Sequence, residues 1–137
     1  MRASLFCLLV AMIGLSIGCK DEKYLKEKEE MRQQTLKGLR LGAIMGVVQK
    51  NYEEAKGKLK KLEEMEKFNA DDYSLRGEVN EGLGQNSSAL EDYNKSIEMD
   101  PKKYKVLERR GKLLVKMGQA KEGKADLDKA KQMSGQK

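Results

Sequence analysis

The chain has 137 residues, a formal net charge of +6, one proline, and neither histidine nor tryptophan. Charged residues make up 36% and Phe, Trp and Tyr only 5%, so a core must come from Leu, Ile, Val, Met and Ala. The length fits one small domain, and wholesale disorder, which a mean hydropathy of −0.74 would allow, is excluded because the apolar residues recur at helical spacing.

In chain order, the first element is the uncharged run Leu5 to Gly18, preceded by the single positive charge of Arg2. As a helix its 14 residues would span roughly 21 Å, short of the roughly 30 Å hydrocarbon core, so residues 1–18 read as an export signal and not as a membrane span. Gly18 stands directly before Cys19, with "LSI" upstream. This arrangement resembles a bacterial lipoprotein signal, with Ser16 where leucine is usual three places before the cysteine. The resemblance implies cleavage before Cys19 and acylation of its sulfur. Cys7 would leave with the signal, so the mature chain would hold one cysteine, which cannot form an internal disulfide. Multiple acyl chains anchor a protein stably where one chain does not. Lys20 follows the cysteine in place of the aspartate that retains enteric lipoproteins at the inner membrane. The resemblance therefore implies a lipid-anchored protein of the bacterial envelope, at the outer membrane, on its periplasmic or surface face.

Residues 19–35 are charge-rich, with Tyr24, Leu25 and Met31 interspersed, and read as a helical lead-in or a solvated tether. From residue 36 onward the chain repeats itself every 34 residues, in the segments 36–69, 70–103 and 104–137. Leu39, Tyr73 and Leu107 align as large apolar residues. Ala43, Gly77 and Gly111 align as small ones, as do Ala55, Ala89 and Gly123. Leu59, Tyr93 and Leu127 form another large column, and Leu62, Ser96 and Ala130 follow. Gly84 and Gly118 share a column with Lys50. Small residues let two helices approach while large ones fill the remaining space. Pro101 cannot continue a helix and biases Asp100 against helical geometry, so "MDP" is a stop.

These columns resemble the tetratricopeptide repeat, a 34-residue pair of antiparallel helices. The middle copy fits best, through Tyr73, Gly77, Ala89, Tyr93 and Pro101. Asn80 and Ser96 depart from the usual aromatic and alanine, and the proline position holds Lys67 in the first copy and Gly135 in the third. The resemblance implies an all-α solenoid of three repeats with a concave groove lined by the first helix of each pair. Carried over position by position, the groove residues are Arg40, Ile44 and Val47; Ser74, Glu78 and Glu81; and Lys105, Glu108, Arg109 and Lys112. That surface would be basic at both ends, acidic between, and apolar at Ile44 and Val47. Some members grip a C-terminal carboxylate. Here Arg40, Lys105 and Arg109 occupy basic positions of that clamp, but Ile44 and Leu75 replace its two asparagines and supply neither donor nor acceptor. That clamp is incomplete.

Catalysis is not expected. No histidine is available as a base near neutral pH, no phosphate-binding or dinucleotide motif occurs, and adjacent carboxylates such as Glu53–Glu54 and Glu63–Glu64 sit among lysines as ion-pair partners. No metal site and no cofactor are expected. The basic balance does not point to nucleic acid, because Lys and Glu interleave without an aromatic platform. The expected function is a membrane-tethered, non-catalytic module that holds a protein or peptide in its groove. Two alternatives are a structural accessory subunit of an envelope assembly, acting through its convex face or last helix, and a surface lipoprotein that meets a host.

Overall fold

The computed structural model describes the backbone of residues 3–135 and the side chains of residues 21–135. The run Leu5–Gly18 and the side chain of Cys19 lie outside the residues whose side chains are described, as does the end of the third copy at Gln136 and Lys137. Six helices follow one another, α1 (Ala3–Val48), α2 (Tyr52–Met65), α3 (Ala70–Gly82), α4 (Asn86–Met99), α5 (Tyr104–Lys116) and α6 (Ala120–Ser134), and no strand occurs among the described residues. None of the helices, over the described residues, is long and apolar enough to cross a membrane. The chain divides into two units, Met1–Lys37 and Gly38–Lys137.

In the first unit the charge-rich run is helical. Its apolar side chains Tyr24, Leu25 and Met31 are exposed. Its charges pair along the helix, Lys23 with Glu27 at 3.8 Å and Arg32 with Glu29 at 3.3 Å. Gln33 donates to Glu29 at 2.8 Å, and that hydrogen bond, helped by Arg32, lowers the Glu29 pKa.

In the second unit three helix pairs are joined by the same turn. Lys50, Gly84 and Gly118 all have positive φ, at 57°, 74° and 85°. In each turn the next amide reaches back five residues: Asn51 to Gly46 at 2.7 Å, Gln85 to Asn80 at 2.8 Å, Gln119 to Leu114 at 2.9 Å. The left-handed residue itself donates to Val47, Glu81 or Val115, each at 3.0 Å. This is the Schellman closure of a helix, which satisfies carbonyls the helix leaves open. Glycine adopts it without steric cost; Lys50 does not.

The starts of the helices are written differently. Asn69 caps α3 by accepting from the amides of Asp71 at 2.8 Å and Asp72 at 3.0 Å, while the Asp72 carboxylate accepts from the Asn69 amide at 3.1 Å. α4 stops at Met99, and Asp100 turns extended immediately before Pro101. Pro101 is exposed, so it serves the turn and not the packing.

The helices stack in chain order, α2 on α3, α3 on α4, α4 on α5 and α5 on α6. Ala43, Ala55, Leu59, Ala89, Tyr93, Leu107 and Ala130 are buried, with Leu39, Tyr73 and Leu127 half-buried beside them. The small columns mark close approaches, though Gly82, outside those columns, would bring a Cβ nearer still, against the Tyr52 ring. A Cβ at Gly77 would lie 2.6 Å from the Tyr93 ring, and one at Gly111 would lie 2.8 Å from the carbonyl oxygen of Gly123. Gly46 makes the corresponding approach to Ala55, at 2.9 Å.

A second periodic feature runs through the stack. Arg76 of α3 holds Asp92 of α4 with Nε at 3.1 Å from both carboxylate oxygens and Nη2 at 2.7 Å from Oδ1. Thirty-four residues later Arg110 of α5 holds Asp126 of α6 in the same way, at 2.6 and 2.8 Å. Both aspartates are buried. Each arginine also reaches the preceding pair, Arg76 to Glu63 at 2.7 Å and Arg110 to Asn94 at 2.8 Å. Arg76 lies over the rings of Phe68 and Tyr73, at 5.0 and 5.3 Å from their centres. Burial opposes the charge on Arg76, but its bonds to Asp92 prevail and its pKa is raised. In the first pair the same two positions are Gly42 and Lys58. The Lys58 chain packs on Gly42 and its amine pairs along α2 with Glu54 at 3.8 Å, so no clasp joins the two helices there.

The two departures from the repeat pattern are hydrogen-bonded in the interior. Asn80 donates to Asp92 at 2.8 Å, and Ser96 donates to the Ala70 carbonyl at 2.6 Å. Each polar group has a partner that an aromatic or an alanine would not need.

Candidate functional site

The first helices of the three pairs, α1, α3 and α5, converge on an open groove of about 520 Å³. Its lining includes Arg40 and Ile44 from α1, Ser74, Leu75 and Glu78 from α3, and Lys105, Val106 and Arg109 from α5. Lys102, Lys103 and Tyr104 close it from the α4–α5 turn, and Asp71 and Asp72 from the start of α3. A neighbouring recess of about 320 Å³ takes Val47 and Glu81 together with Glu78, Arg109, Tyr52 and Tyr93. Of the ten residues assigned to the groove from sequence, eight line one or both cavities. Glu108 and Lys112 instead pair with each other along α5, at 2.5 Å.

The charge pattern differs from the expected one. Arg40 does not present a free cation. It grips Asp72, with Nε to Oδ1 at 2.8 Å and Nη2 to Oδ2 at 2.9 Å, and also bonds Glu66. The bond to Asp72, against burial, raises the Arg40 pKa. Asp72 is only 2% exposed and also closes the α3 cap, so Arg40 neutralises a buried carboxylate. Arg109 bonds Glu78 across the groove, and Lys103 bonds Asp71 at 2.5 Å. Lys102 and Lys105 are the lining cations that are exposed and, among the described residues, have no ion pair. The groove is thus an apolar floor of Ile44, Leu75 and Val106 inside a rim of charges that largely satisfy one another. Ser74, assigned to the groove surface, lines it while only 6% exposed.

In the recess, Tyr93 is fully buried and its hydroxyl donates to Glu81 at 3.0 Å. Burial first, and the Glu81 charge second, push the phenol pKa far up, so it stays a donor. Glu81 is therefore tied to the core and less free to meet a ligand than its groove position suggests. Leu75 and Val106 gain their place because they sit where α3 and α5 face each other. The sequence signal was present for Leu75, as a clamp position filled by an apolar side chain; Val106 had none. The described residues hold no cluster of three or more metal-ligating side chains.

Comparison with known proteins agrees with this geometry. Residues 73–103 match the tetratricopeptide repeat model. No curated protein matches the chain in sequence. Among solved structures, the TPR domain of OM64 from Arabidopsis superposes with a TM-score of 0.70 at 21% identity, covering 77% of this chain and 88% of that one. PcrH, in complex with the chaperone binding region of PopB, gives 0.70 at 15% identity over 76% of this chain and 84% of that one. The type III secretion translocator chaperone SycD from Yersinia enterocolitica gives 0.69 at 21% identity over 77% and 78%. The chain has the all-α helical-solenoid fold of these structures, and its residues 73–103 form a tetratricopeptide repeat.

Proposed function

We propose that this chain is a non-catalytic interaction module that holds a protein or peptide in the groove between α1, α3 and α5. The observation that carries this reading is the apolar floor of Ile44, Leu75 and Val106 set in a rim of paired charges. Such a site takes an apolar anchor side chain and uses its rim for register, the usual division of labour in a recognition groove. The likeness to PcrH, which is seen with a segment of PopB, supports a peptide-like occupant. The proposal includes acylation of Cys19 and a tether to the bacterial envelope, favouring the outer membrane, on the strength of the N-terminal sequence pattern.

The test is copurification from solubilised envelope with the parent chain and with Ile44→Glu plus Lys105→Glu. Both positions are exposed and outside the buried pairs, so the fold should survive. At least one partner should be lost from the variant, with helical circular dichroism unchanged. Identical partner sets would contradict a role for the groove. Arg40→Glu would be uninformative, because it strands Asp72.

A further inference from the structure

We propose that the exposed apolar face of α1 between Leu41 and Val48 is the surface on which two copies of this chain associate, helix against helix and antiparallel. Leu41, Met45 and Val48 are 61%, 45% and 69% exposed, and Ile44, 46% exposed, adjoins them at the edge where the strip meets the groove. At about 100° per residue they fall within roughly 100° of arc on one side of the helix. Between Gly38 and Val48 the only charge is Arg40, and it is bound to Asp72 and Glu66. A chain that is 36% charged thus keeps an uncharged strip through more than two helical turns.

The repeat shows what this strip is shaped to receive. Met45 shares its column with Val79 and Leu113, both fully buried. Leu113 is buried against Ala89 and Tyr93 of the preceding helix, α4. Val48 shares its column with Gly82, on which the Tyr52 ring of the preceding helix α2 rests. At the Met45 position in α3 and α5, and at the Val48 position in α3, a preceding helix packs, so the Met45–Val48 part of the strip has the character of a helix-binding face. Lys116 takes the Val48 position in α5 and is exposed.

The other end of the stack cannot supply that helix. On α4, Leu90 and Ile97 pack toward α5. The matching positions on α6 are Lys124 and Lys131, both exposed. Head-to-tail stacking would bury these lysines against Met45 and Val48 without counter-charges, which is unfavourable. Like-with-like contact of two α1 strips buries no charge and closes as a two-fold dimer. Gly38 has nothing near its Cβ position and permits close approach. Each strip offers on the order of a few hundred Å², so the pair falls below the roughly 1,200 Å² of a standard interface and the dimer is weak, with Kd in the micromolar range or above.

Sedimentation velocity on the full chain over a concentration series tests this. Dimer should appear as concentration rises, and added salt should strengthen it by screening two copies of net charge +6. Met45→Glu with Val48→Glu should raise the dissociation constant by at least about 30-fold while leaving helical circular dichroism intact. Monomer throughout the series would overturn the proposal. So would self-association that persists in the double variant, which would place the contact elsewhere, such as at the run Leu5–Gly18. Val48→benzoylphenylalanine should crosslink to α1 of the second copy; a crosslink to α6 would overturn the antiparallel arrangement.

Discussion

The first helix pair of the stack and the two that follow share one backbone plan and differ in how they are fastened. The second and third pairs each carry a buried arginine–aspartate clasp, Arg76–Asp92 and Arg110–Asp126, and each turns on a glycine. The first pair has Gly42 and Lys58 where the clasp would be, and turns on Lys50 at φ 57°. Residues that recur every 34 positions hold the stack together. Where the recurrence fails, at the outer side of α1, the chain leaves a strip open to solvent. Periodicity within one chain therefore marks where the stack is fastened.

The largest expected effect lies in the clasps. Arg110→Ala leaves Asp126 buried at 8% exposure without its cation and should cost about 3–5 kcal/mol in denaturant unfolding. Lys58→Ala, at the matching level of the first pair, should change stability by less than about 0.5 kcal/mol. Comparable losses from both substitutions would erase the contrast between the pairs.

A smaller effect, with a change of sign, is expected at the turns. Gly84→Ala forces a side chain into the left-handed region and should cost on the order of 1 kcal/mol. Lys50→Gly relieves that conformation and should stabilise by up to about 1 kcal/mol, offset in part by the freer unfolded chain. Thermal melts of the two variants should move in opposite directions. A shift in the same direction would mean that the first turn is held by something other than its backbone geometry.

Much of the stack was legible in the sequence, because small and large columns encode helix contact directly. Gly77 against Tyr93 and Gly111 against Gly123 are what those columns describe. The clasps were also in register, at 76 and 110 and at 92 and 126, but in a chain so rich in charge an arginine and an aspartate 16 residues apart carry no sign that they face each other. Asn80 and Ser96, which read as weak matches, are polar because Asp92 and the Ala70 carbonyl need donors there. Arg40 was assigned to the groove by its column. Its partner Asp72 lies 32 residues away, off the repeat period, and no local pattern links them. The groove's position followed from the repeat; its state of charge required the side-chain geometry.

The most direct test of the account is a double-mutant cycle on the third pair, with Arg110→Ala, Asp126→Ala and both together, read as unfolding free energy. The account expects strong coupling: the double variant should be at least about 1 kcal/mol more stable than the sum of the single losses implies, because removing both partners leaves no buried charge unpaired. Additive losses would show that Arg110 and Asp126 act independently, and the idea that a recurring clasp fastens the stack would fail.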